Sequence, residues 1–338
     1  MAGTSFSSSN PGDYSTAELL ATVQWLRLNQ GASNALQRLG KLREYLNGLG
    51  PEAASRTVQR WLDSGLDAPT YLSFKLATDG HLKTAPTLRL FLLDYLIQLE
   101  PGAGAAYGEK ILRVSKSPDE WAVAMRGWAL GNPGPDGTAF LQVKMREMLQ
   151  HEDWRENPSP GFLEAFDVIV YTRDAELTPN LAGWARQSEN RALAHAAYLT
   201  LDRLIQTDPA GMLGRLQTQP ELLAGREASR ADFFARADVR DLEQLKVLEG
   251  YLLDPSRSAA EWRHFASVYP NANFMVSDNL LTRTRTPTGD EIAARDREAL
   301  KIAIQWAGDP RFAAFQSQLK TIQSRLEGFV GPAGNPPK

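Results

Sequence analysis

The chain has no cysteine. That excludes disulfide staples, thiolate nucleophiles, zinc–thiolate centres and cysteine-ligated iron–sulfur clusters. No stretch approaches the ~20 apolar residues of a membrane-spanning helix; the nearest, Leu88–Leu99, is interrupted by Arg89, Asp94 and Gln98. A strong excess of one charge is also missing: 37 Lys and Arg face 40 Asp and Glu, for a net charge of −3. Coating a nucleic acid needs a basic surface, so nucleic acid is not the expected partner. Met1–Tyr14 (MAGTSFSSSNPGDY) lacks the basic end and apolar run of a signal peptide. The absence of thiols favours an exported, periplasmic setting over the cytoplasm.

Alternating strand-like runs are nearly absent, and apolar spacings of three and four residues dominate. Ser15-Thr-Ala-Glu18 reads as a capping box opening a helix with Leu19, Leu20, Val23 and Leu26 on one stripe. A second helix carries Leu36, Leu39, Leu42 and Leu46. A third starts at Pro51 and buries Val58, Trp61 and Leu62. Pro86–Leu99 is apolar on more than one face, as in a helix enclosed on several sides. Ser117-Pro-Asp-Glu120 caps another helix, with Trp121, Met125 and Trp128 as its core stripe. Further helices are predicted around residues 140–149, 162–170, 192–205, 242–252, 262–268, 292–306 and 312–326. The single strand candidate, Val168–Tyr171, also fits the end of a helix. The fold class is all-α.

A junction recurs along the chain. Helices end in a short polar step before proline at Gly50-Pro51, Glu100-Pro101, Asp208-Pro209, Asp254-Pro255 and Asp309-Pro310. The prolines are roughly 50 residues apart, with Pro158 and Pro160 halving the one long interval. Proline cannot continue the preceding helix but can begin the next, and an acidic residue before it complements the helix N-terminus. On Leu99-Glu-Pro101, Thr207-Asp-Pro209 and Leu253-Asp-Pro255 the chain resembles a HEAT-like, broadly TPR-type α-solenoid. The period is loose, and no TPR Trp/Gly/Tyr set recurs. The resemblance implies stacked antiparallel helix hairpins forming an α-α superhelix over residues 15–328. A disordered segment 1–14 would precede it, and a Gly/Pro tail 329–338 would follow.

Residues that carry chemistry are sparse. The four histidines form no HExxH or paired spacing. Glu261 with His264, and Glu147 with His151, share helical faces but read as surface pairs, because a di-iron site needs a second such motif and two further glutamates. No P-loop, nucleophile elbow or dinucleotide fingerprint occurs, and no cofactor or metal is expected. Arg226, Arg230, Arg236 and Arg240 read as a solvated face interleaved with Glu227, Asp232, Asp238 and Asp241. The tryptophans read as core.

The functional expectation is a non-enzymatic scaffold that binds a protein or peptide in a solenoid groove. The alternative is an α-helical barrel or superhelical enzyme acting on a polysaccharide-like polymer through paired carboxylates. The loop Thr282–Gly289 is the first candidate contact. There Arg283 and Arg285 alternate with Thr284 and Thr286, and arginine can hold an acidic segment bidentately.

Overall fold

A computed structural model describes residues 11–187, 189–273 and 278–330. The expected disordered segment 1–14 and tail 329–338 therefore fall mostly outside the described residues. Eighteen α-helices are present among the described residues, with one two-stranded hairpin. The chain divides into two compact units. The first holds the chain up to Thr172 together with Asp278–Arg283, and the second holds the remainder.

The first unit begins with α1 (Pro11–Leu28), α2 (Ala32–Gly48) and α3 (Pro51–Asp63). Helix α1 runs through Ser15 rather than starting there. Leu19, Val23 and Leu26 form its buried stripe, while Leu20 is exposed. Glu18 does not close a capping box; it pairs with Arg38 of α2 at 2.6 Å. Between α3 and the next helix lies a hairpin that the periodicity did not indicate. Strands β1 (Lys75–Leu76) and β2 (Leu82–Thr84) pair antiparallel around an Asp79-Gly80 turn. Helix α4 (Leu88–Leu99) starts two residues later than Pro86, because the Thr87 hydroxyl accepts from the Leu90 amide at 3.2 Å. Nine consecutive-to-neighbouring residues of α4, Leu88 and Leu90 to Ile97, are buried, so the helix is enclosed as its composition predicts.

Next come α5 (Pro101–Val114), α6 (Pro118–Gly131), α7 (Pro135–Gln150), α8 (Glu152–Glu156), α9 (Pro160–Glu164) and α10 (Asp167–Thr172). Helices α5 and α6 approach closely because Gly108 has no side chain; a Cβ there would lie 2.8 Å from the Ala124 carbonyl oxygen. Ser117 caps α6, but Glu120 does not reach back. Its carboxylate instead takes Arg89 at 2.9 Å and Ser115 at 2.7 Å. The strand candidate Val168–Tyr171 lies inside α10, so the helical reading holds.

The second unit contains α11 (Thr178–Ala185), α12 (Arg191–Thr207), α13 (Pro209–Thr218), α14 (Glu227–Phe234), α15 (Leu242–Leu252), α16 (Ala259–Val268), α17 (Gly289–Gly308) and α18 (Gln316–Val330). Pro209 begins α13, as Pro51 and Pro101 begin theirs. Pro255 does not: it sits in a turn, and α16 starts at Ala259 behind a Ser258 cap. Pro310 opens a 3-10 turn instead of an α-helix. Two arginines close helix ends from a distance. Arg295 of α17 donates to the carbonyls of Arg236 at 2.6 Å and Asn271 at 3.1 Å, and Arg325 of α18 to those of Ala266 and Tyr269. Free C-terminal carbonyls carry partial negative charge, which a guanidinium satisfies. Stacked rings fill the core: Phe234 on Tyr251 at 4.0 Å and Trp262 on Phe315 at 3.9 Å.

Candidate functional site

The first unit holds a cleft of about 470 Å³ walled by α5, α6 and α7. Leu112 and Arg113 come from α5, Trp121 from α6, and Lys144, Glu147 and Gln150 from α7; His151 closes one end. The Trp121 indole donates to the Ser115 carbonyl at 3.0 Å, which fixes the plane of its ring. His151 stacks on Trp154 at 4.0 Å, and Trp154 meets Trp121 edge-on at 5.7 Å. These three rings form a rigid aromatic corner.

Lys144 stands beside that corner. Its ammonium lies 5.9 Å from the Trp121 ring centre, 5.7 Å from that of Phe140 and 2.7 Å from Glu147 Oε2. The cleft thus presents two cations, a carboxylate, an amide, an imidazole and an aromatic wall within one concavity. Such a surface can hydrogen-bond as donor and acceptor while packing apolar groups. Two opposed carboxylates are not part of it: Glu147 is its one lining acid.

The remaining candidates go elsewhere. Glu147 and His151 do not pair; each lines the cleft with a different partner. Glu261 and His264 also diverge, Glu261 to Arg230 and His264 to Asp232 at 2.9 Å. Among the described residues no group of three His, Asp or Glu is arranged to hold a metal ion.

Three arginines of the cluster make ion pairs, and only Arg226 and Arg240 of the four are exposed, so the solvated face is half of what the sequence predicts. Arg230 grips Glu261 bidentately at 2.7 and 2.5 Å, and Tyr251 adds a hydroxyl bond at 2.9 Å to a carboxylate that is fully buried. Arg236 is half-buried against Asp202. Arg240, paired with Asp238, is exposed, as is Arg226, which donates to the Ala185 carbonyl at 2.7 Å. Among the tryptophans, Trp61, Trp121, Trp184, Trp262 and Trp306 are buried, whereas Trp25, Trp128 and Trp154 are half-buried.

The predicted loop is divided between the units. Arg283 is exposed and counts with the first unit; Thr284, Arg285 and Thr286 count with the second. Thr284 is half-buried and Thr286 exposed. Arg285 is largely exposed and pairs with Glu291 at 2.6 Å, and that same glutamate completes the Thr288 capping box of α17.

A second polar cluster lies within the first unit. Asp94 of α4 and Arg126 of α6 form an ion pair with both side chains 1% exposed. Asp94 also accepts from the Leu82 amide at 3.1 Å and from Gln98 at 2.6 Å, and His81 Nδ1 is 3.3 Å away. Burial pushes the Asp94 carboxyl up, but His81 and the Arg126 charge outweigh it and hold the group below its ordinary value. Arg126 also donates to the Gly80 carbonyl, so this pair fixes the hairpin turn.

Sequence reasoning missed the cleft, although Lys144, Glu147 and His151 fall at i, i+3 and i+7, one helical face. No described helix is long and apolar enough to cross a membrane. No protein-family model matches this sequence, and no match to it was found among curated proteins or solved structures.

Proposed function

We propose that this protein is a non-enzymatic scaffold whose helix hairpins stack in a HEAT-like manner and bind a protein or peptide partner. The observation that carries this reading is the cleft of Trp121, Lys144, Glu147 and His151. Its mixture of aromatic, cationic and amide groups suits the varied side chains of a polypeptide. Sequential packing of helices within each unit, with proline in the first turn of α3, α5, α6, α7, α9 and α13, supports the hairpin stacking. Arg283, Thr284, Arg285 and Thr286 are proposed as further contacts to an acidic stretch of the partner, with Arg285 exchanging Glu291 for it.

The alternative, an enzyme cleaving a polysaccharide-like polymer, requires two carboxylates about 5–10 Å apart across a cleft. One lining acid gives that reading less support here. Capture from a native extract with wild-type and Lys144→Glu protein as paired baits tests the proposal. A protein retained by the wild type and lost by the variant, with unchanged circular dichroism, supports it. Equal retention by both baits overturns the cleft as the contact. Polysaccharide cleavage that disappears in Glu147→Gln replaces the proposal with the alternative.

A further inference from the structure

A smaller groove of about 160 Å³ lies elsewhere in the first unit, between α2, the hairpin and α4. Its floor is Leu39, Leu82, Ala85 and Phe91, and half-buried Leu72 and exposed Leu36 border it. Its only charged lining residues are both basic, Arg43 and Lys83. Lys83 follows buried Leu82 on β2 and is exposed, as strand alternation requires. Arg43 lies over the Phe91 ring at 5.2 Å and bonds Gln98 at 3.2 Å. Neither cation has an acidic partner among the described residues.

Gly40 is the second observation. It stands in the middle of α2, where glycine is less favourable than alanine by about 1 kcal/mol. Packing does not require it: a Cβ there would have nothing within 4 Å, in contrast to Gly104 and Gly108, where it would strike a neighbouring helix. Gly40 lines the groove, one turn from both Leu36 and Arg43. Gly40 itself is exposed at the border of the groove.

We infer that this groove is a recognition pocket for a partner peptide in which one aliphatic or aromatic side chain is flanked by acidic residues. The volume suits a single such group, since a cavity of ~150 Å³ accepts benzene. The two uncompensated cations select carboxylates beside it, and an arginine already braced on aromatic rings loses little freedom on pairing. Glycine at position 40 keeps the entrance clear. This pocket is distinct from the Trp121 cleft, and the variants that test it leave that cleft untouched, so either assignment can fail alone.

The test is fluorescence anisotropy with a labelled peptide carrying one leucine between glutamates. Its controls carry serine for leucine, or lysine for each glutamate. The expected result is saturable binding at ~100 µM or tighter, weakening as salt is raised, with loss of at least about tenfold for either control. Gly40→Met, which fills the entrance and improves helix propensity, should lose at least about tenfold while its urea midpoint stays equal or rises. Lys83→Glu should do the same for the acidic peptide and regain affinity for the lysine control. Equal binding of the leucine and serine peptides, or full binding by folded Gly40→Met, overturns the assignment. A concentration-dependent dimer abolished by Gly40→Met would give the groove to a second copy of the chain and also overturn it.

Discussion

Asp167 and Thr282 are 115 positions apart in the chain, yet one carboxylate holds the other residue by two bonds. Asp167 Oδ2 accepts from the Thr282 amide at 2.7 Å and the Leu281 amide at 2.6 Å, and Oδ1 accepts from the Thr282 hydroxyl. Leu280 beside them is 1% exposed. These contacts seat Asp278–Arg283 in the first unit.

Asp167→Ala should therefore destabilise the first unit by about 2–4 kcal/mol. Hydrogen bonds to a charged acceptor contribute ~1.5–3 kcal/mol each and add incompletely. Urea denaturation gives the total. Amide hydrogen exchange at Leu281 and Thr282 should accelerate most, and unchanged protection there would disprove the role of the carboxylate.

Gly80 offers a cleaner comparison. Its φ is +82°, and an added Cβ would sit 2.5 Å from the Leu280 carbonyl oxygen. Gly65 has a φ of +71° with open space around it. Both alanine variants incur the left-handed penalty of ~1–2 kcal/mol, but only Gly80→Ala must also push Leu280 away. Its loss of stability should exceed that of Gly65→Ala by about 1 kcal/mol or more. Equal losses would mean that the Leu280 segment yields freely.

The buried pair of Asp94 and Arg126 should respond to mutation and to acid. Arg126→Met leaves the buried Asp94 carboxylate without its guanidinium and should lower stability by ~3–5 kcal/mol, more than the double variant Asp94→Leu/Arg126→Met. The Asp94 carboxyl is held below its ordinary value of 3.8 in the folded state. Its contribution is therefore present above that pH and is lost as the pH falls through the lower folded value. The stability advantage of the wild type over the double variant should shrink below about pH 4. An advantage independent of pH between 2 and 6, on the order of experimental error, would rule this out.

For the loop, the decisive variant is the double change Arg283→Ala/Arg285→Ala. With a partner identified by the paired-bait capture, affinity should fall at least about tenfold, or ~1.4 kcal/mol. Undiminished affinity at moderate salt would remove both arginines from the interface and leave Arg285 as a partner of Glu291 alone.

Local signals explain what could be read from the sequence. Helix α15 has the predicted bounds because Asp241 caps the amides of Glu243 and Gln244 at 2.9 and 3.2 Å, a signal only a few residues long. The hairpin escaped notice because its strands are two and three residues long, too short for alternation to register. The Asp79-Gly80 dipeptide was the available clue. The burial of Arg230 and half-burial of Arg236 leave no local signal for a different reason. Their carboxylates lie 31 and 34 positions away, so no local period reveals which arginine leaves the solvent. In the cleft, Lys144, Glu147 and His151 share a legible helical face. The aromatic corner depends on Trp154 folding back through α8, which only tertiary structure supplies.

The seating of Asp278–Arg283 bears on how the chain is made. A ribosome delivers the first unit up to Thr172, then must add all of Arg173–Ser277 before Leu280 and Thr282 exist. At ~5–20 residues per second, that wait is on the order of 5–20 s. Throughout it the Asp167 carboxylate lacks the amides of Leu281 and Thr282, and the Gly80 turn lacks its cover. The unit that emerges first is thus among the last to be completed, and a nascent chain arrested before Arg283 would carry that unit unclasped.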